Sequence, residues 1–112
     1  MEDRIKTWLA DIKQAITEIY DFLPEDKSFT SFQKDIKGKK AVERNLEIIG
    51  EAVNRIIGEN PGIQITNARK IIDTRNRVIH NYDNISNDII WSIVTRDLPK
   101  LEAEINNLFN EI

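Results

Sequence analysis

Apolar residues recur along the chain at helical steps of three and four, and no segment keeps the every-second-residue alternation of a strand. The first such line is Ile5, Trp8, Leu9, Ile12, Ile16, Ile19, Phe22 and Leu23. It predicts one long amphipathic helix ending before Pro24. A polar stretch, Glu25 to Ser28, leads to Phe29, Phe32 and Ile36, readable as a short helix or as an ordered loop. A second long helix is predicted from near Lys39 or Ala41. Its stripe is Val42, Leu46, Ile49, Val53, Ile56 and Ile57, widened by Ile48 and Ala52. Gly50 falls on the side of Leu46, Val53 and Ile57, where a glycine costs about 1 kcal/mol against alanine. A close helix–helix approach would compensate that cost. Gly58, followed by Asn60-Pro61-Gly62, is expected to end this helix.

Thr66 or Asn67 can cap a third helix with Ile71, Ile72, Val78 and Ile79 as its apolar positions. Ser86 or Asn87 can cap a fourth, carrying Ile89, Ile90, Ile93 and Val94. Asp97-Leu98-Pro99 is expected to break or kink the chain, with Asp97 capping a last helix and Pro99 in its first turn. That helix would present Leu98, Leu101, Ile105, Leu108, Phe109 and Ile112. There is no internal repeat and no low-complexity tract. The prediction is a single all-α domain over residues 1–112, an antiparallel bundle of four to five helices.

Composition narrows the function classes. The 112 residues, 40% hydrophobic and 31% charged, suit one folded domain with a small core. The absence of cysteine excludes disulfides and thiolate metal sites. A net charge of −3 and a pI near 5.2 lack the overall basic footprint of a nucleic-acid binder. RNA would therefore have to be met at a local basic site, which dimerisation could double. No apolar run is long enough to span a bilayer, and Met1-Glu2-Asp3-Arg4 does not open a signal peptide. The expectation is a cytoplasmic protein without a membrane partner.

One stretch stands apart: Asp73-Thr74-Arg75-Asn76-Arg77-Val78-Ile79-His80-Asn81-Tyr82-Asp83. It gathers two arginines, the chain's one histidine, two amides and a tyrosine within about three helical turns. At about 100° per residue, Arg75 and Tyr82 share a face, as do Asn76 and His80, while Arg75 and His80 stand about 140° apart. Arg75 interrupts the apolar line Ile71, Ile79, Tyr82, where a guanidinium needs a partner. The structural reading is a snorkelling arginine, a satisfied core histidine and a core tyrosine with a hydrogen-bonded hydroxyl. The functional reading is metal-independent RNA cleavage by attack of a 2′-hydroxyl on the adjacent phosphate. That reaction needs a group of near-neutral pKa to move protons, which suits His80. It also needs a fixed cation for the phosphoryl oxygens, which suits Arg75. One histidine cannot easily serve as both base and acid, so two chains meeting at this helix would supply the second.

Arg75, four residues, His80, one residue and Tyr82 match the RX4HXY signature, and the chain resembles the HepT family of the HEPN superfamily. Asn76 fits the polar residue often found after the arginine. Residues Ala41 to Val53 resemble the family's second-helix pattern. Ile90-Trp91-Ser92-Ile93-Val94 and Asp97-Leu98-Pro99-Lys100-Leu101 resemble its C-terminal half. The resemblance implies an all-α HEPN-like homodimer and a metal-independent endoribonuclease toxin that acts on RNA and not DNA. It implies Arg75 and His80 as the catalytic pair, with Asn76 in support. It also implies a MntA-like nucleotidyltransferase antitoxin that transfers AMP to Tyr82. No cofactor is implied. The alternative is a catalytically inactive HEPN binding module for a nucleotide or for the nucleotidyltransferase.

Other residues have plainer readings. Trp8 and Trp91 fit core packing better than base stacking. Lys37, Lys39 and Lys40 could dock phosphate, but a solvated helix start is the simpler account. Arg77 is equally an RNA contact or a surface charge. Glu43, Glu47 and Glu51 read as a solvated helix face. With His80 alone and no further ligand motif, a metal site is not expected.

Overall fold

The computed structural model describes residues 2–80 and 87–111, with residues 75–80 as helical backbone. Every described element is a helix. Helix α1 (Glu2–Asp21) buries Ile5, Leu9, Ile12, Ile16 and Ile19, the line predicted from the sequence. Phe22 ends outside the core and is exposed. The stretch around Phe29 is a short helix, α2 (Phe29–Lys34), and Phe32 is its buried anchor. Ser28 caps it by accepting from Ser31 N at 3.1 Å. Asp26 accepts from Ser28 N at 3.1 Å and from Ser31 Oγ at 2.7 Å. The Ser31 hydroxyl holds the Asp26 carboxyl below its ordinary pKa.

Helix α3 (Ile36–Glu59) starts earlier than predicted. Asp35 accepts from Gly38 N at 3.0 Å, and that side-chain cap sets the earlier start. Ile36 is consequently not a core residue but the most exposed large hydrophobe among the described residues, at 63%. Helix α3 also runs through Gly58 to Glu59, where Asn60 N donates to Ile56 O at 2.9 Å. A Cβ on Gly38 would collide with the Asp35 carboxylate and stand 3.0 Å from the Phe22 carbonyl. Gly38→Ala is therefore expected to cost about 1–3 kcal/mol through overpacking, read as a lower midpoint in urea unfolding.

Helix α4 (Ala68–His80) follows a turn through Asn60–Gly62. Thr66 does not cap it. Its hydroxyl donates to Glu104 Oε2 at 2.7 Å and its N–H donates to the same carboxylate at 3.0 Å, so the tie runs across the bundle instead. Asn67 adopts a left-handed φ of 63°, and its carbonyl takes the Ile71 N–H at 3.0 Å. The Ser86 cap falls outside the described residues, and α5 begins at Asn87 (Asn87–Ser92).

Pro99 does not break the chain. A π-turn over Ile93–Asp97, with Leu98 N donating to Ile93 O, joins α5 to α6 (Leu98–Glu111). The Pro99 ring would otherwise meet the Thr95 carbonyl four residues back, and the wider turn spans Thr95. Asp97 consequently lies inside a continuous helical run rather than capping a new one.

The core forms where α1, α3 and the C-terminal run converge. Val42, Leu46, Ile49, Val53 and Ile56 meet Ile90, Ile93, Val94, Leu98, Leu101 and Ile105 there. Trp91 is half-buried and tilts against Phe32 at a ring distance of 5.2 Å, as packing predicts. Glu47 and Glu51 pair with Arg44 and Arg55 on the solvated side of α3. Gly50 is buried on α3. The fold is all-α, and no helix among the described residues is long and apolar enough to cross a membrane.

Candidate active site on helix α4

Four of the predicted site residues, Arg75, Asn76, Arg77 and His80, lie in the second half of α4. Tyr82, the predicted modification site, lies outside the described residues. Helix α4 is held by its first half. Ile71 and Ile72 are buried. Buried Thr74 turns its hydroxyl back to the Lys70 carbonyl at 2.8 Å, which satisfies a polar side chain that would otherwise be costly in the core.

The helical register fixes where the motif positions fall. Ile71 and Ile72 mark the core side of α4, and position 75 falls between them at about 40° from Ile71. Position 80 falls about 180° from Ile71, in line with Arg69 and Asp73, both of which are exposed. In the helical register, position 75 therefore lies on the angular side of Ile71 and Ile72, and position 80 lies opposite it. The wide angle between them, read from spacing, is retained in the helix. A single straight α4 does not bring the two positions to one face.

Two features beside the motif escape the sequence reading. The first is an ion pair, Lys70 Nζ to Asp97 Oδ2 at 2.7 Å, which ties α4 to the π-turn. The Asp97 carboxylate is mostly buried, and Oδ2 has no aligned hydrogen bond. The contact is thus a charge pair rather than a directed hydrogen bond. Lys70 is half exposed, so solvent screens it. The signal was present in the sequence: Asp97 stands on the core-facing line of Val94 and Leu101, and a carboxylate there calls for a cation.

The second feature is an open groove of about 490 Å³ along α4, lined by Asn67, Arg69, Lys70, Asp73, Thr74, Ile89 and Ile93. Lys and Arg supply four of the 13 residues of α4 against one Asp, in a chain of net charge −3. Positive charge is thus concentrated locally on this helix in a chain that is acidic overall. Among the described residues, no group of three His, Asp or Glu side chains could hold a metal ion.

The HepT-like family, described as Ribonuclease HepT-like, matches residues 12–108, all but the two ends of the chain. The chain belongs to the HepT-like family. Its relatives include a Methanocaldococcus jannaschii protein named "Putative RNase MJ0127". That protein is 35% identical, and the match covers 96% of this chain and 89% of the relative. A Thermococcus cleftensis protein named "Probable ribonuclease HepT" is 35% identical over 92% of this chain and 94% of its own length. A second M. jannaschii protein, "Putative RNase MJ1380", is 32% identical over 90% and 93%. No solved structure matches the chain.

Proposed function

We propose that this HepT-like chain is a single-domain, metal-independent endoribonuclease and the toxin of a toxin–antitoxin pair, acting in the cytoplasm. The observation that carries the reading is the Arg75…His80 motif on α4, where four Lys and Arg stand against one Asp. The ribonuclease names of its full-length relatives support it. In the proposed reaction the 2′-oxygen of RNA attacks the neighbouring phosphorus as a histidine takes the 2′-hydroxyl proton. The phosphorus–O5′ bond breaks, and O5′ leaves with a proton from a second histidine. The products are a 2′,3′-cyclic phosphate and a 5′-hydroxyl. Arg75 balances the charge that builds on the phosphoryl oxygens. Asn76 supports the site, and Arg77 is a weaker RNA contact.

Two α4 helices facing each other across a homodimer supply the two histidines. The separation of positions 75 and 80 around α4 favours this arrangement, since a cleft between subunits can be lined from both sides. Arg75→Ala is expected to slow RNA cleavage about 10²–10³-fold, as loss of an oxyanion donor does. The assay is cleavage of a labelled RNA in EDTA. Undiminished cleavage by Arg75→Ala would remove the arginine from the mechanism.

A further inference from the structure

A cleaving site needs more than the scissile phosphate to hold a strand, and the net charge of −3 restricts where a polyanion can settle. Besides α4, the densest basic run is Lys37-Gly38-Lys39-Lys40. By sequence alone it is a solvated helix start, far from the motif. The fold changes that. Leu46 and Ile49 of α3 line one small cavity with Ile71 and Thr74 of α4, and the two helices run antiparallel. From that level α4 advances about 9 Å between Thr74 and His80, while α3 recedes about 9 Å between Leu46 and Lys40. The backbone at His80 and the basic start of α3 therefore stand at the same end of the hairpin.

Lys39 shares a flank with Leu46, at the i, i+7 spacing, and that flank meets α4. Lys37 and Lys40 are exposed and Lys39 is half-buried. None of the three ammonium groups has an ion pair among the described residues. The nearest carboxylate before them, Asp35, is engaged by the Gly38 N–H at 3.0 Å. Glu43, the next acidic residue, follows a full turn later. The first turn of α3 is also held in place, because Gly38 is buried against Asp35 and the Phe22 carbonyl.

We propose that Lys37, Lys39 and Lys40 dock the sugar–phosphate backbone of the RNA strand that occupies the α4 site; this rests on the ribonuclease reading above. Lysines are mobile point charges, suited to phosphate contacts that position a strand without reading its sequence.

The test uses the full chain and a fluorescent single-stranded RNA carrying 2′-O-methyl groups, which binds but cannot be cleaved. The triple variant Lys37→Gln, Lys39→Gln, Lys40→Gln is expected to bind it about tenfold more weakly. The slope of log affinity against log salt should fall by about 0.7 for each lysine engaged, about 2 for all three. On cleavable RNA, KM should rise with kcat held. The triple arginine variant should restore binding. Lys6→Gln, at the opposite end near the Arg4–Glu59 pair, should leave binding unchanged. If the glutamine triple misfolds, the exposed pair Lys37→Gln, Lys40→Gln gives the same readout. Unchanged affinity and salt slope would overturn the docking role and leave cleavage standing. Weakened binding in a chain that cuts no RNA would keep docking and overturn the ribonuclease reading.

Discussion

His80→Ala is expected to lower the rate of RNA cleavage about 10²–10⁴-fold with little change in KM, the span that a positioned acid or base supplies. Binding should survive, because the cations of α4 and the start of α3 remain. The proposed homodimer makes the prediction sharper. If base and acid are the same histidine from two subunits, a mixed dimer holds one of them and is nearly silent. After subunit exchange at equal amounts, about a quarter of the dimers keep both histidines. Activity should then follow the square of the wild-type fraction. A linear dependence would show that each chain works alone and would remove the shared cleft. The pH profile of kcat/KM should be bell-shaped for the pair. A helical register that sets positions 75 and 80 apart makes a one-chain Arg–His pair the harder geometry to build.

Transfer of AMP to Tyr82 is expected to abolish cleavage. Tyr82 follows Arg75 by seven residues, two helical turns in the sequence pattern. A phosphodiester there would offer Arg75 an anion in place of the RNA phosphate, and the nucleoside would fill the cleft. Charge and volume act in the same direction. Co-expression with a MntA-like nucleotidyltransferase should add the mass of one AMP per chain to the wild type and none to Tyr82→Phe. Tyr82→Phe should remain active in the presence of that partner. Modified wild-type protein that cuts RNA at the unmodified rate would remove Tyr82 as the control point. Modification at another residue, with Tyr82→Phe still silenced, would have the same consequence.

Much of the fold was legible because burial imposes periodicity. Ile5, Leu9, Ile12, Ile16 and Ile19 are spaced for one helix face, and that face is buried. The failures occurred where a single local interaction overrides the stripe. The Asp35 carboxylate on Gly38 N starts α3 early and leaves Ile36 in solvent. The π-turn before Pro99 keeps helical a stretch whose composition reads as a break. Thr66, a plausible cap by type, is drawn instead to Glu104, 38 residues away. No local window contains that partner.

The candidate site was legible in its position on α4, since its residue types are conspicuous within an acidic chain. Its surroundings were not. The Lys70–Asp97 pair and the proximity of the α3 lysines depend on how helices pack, and spacing within one helix cannot report that.

The most direct measurement is the chemistry of the cut ends. The purified, unmodified protein should cleave single-stranded RNA in EDTA and leave 2′,3′-cyclic phosphate and 5′-hydroxyl ends, with no cyclic product from His80→Ala. Cleavage that EDTA abolishes, fragments carrying 5′-phosphates, or undiminished cutting by His80→Ala would contradict the account.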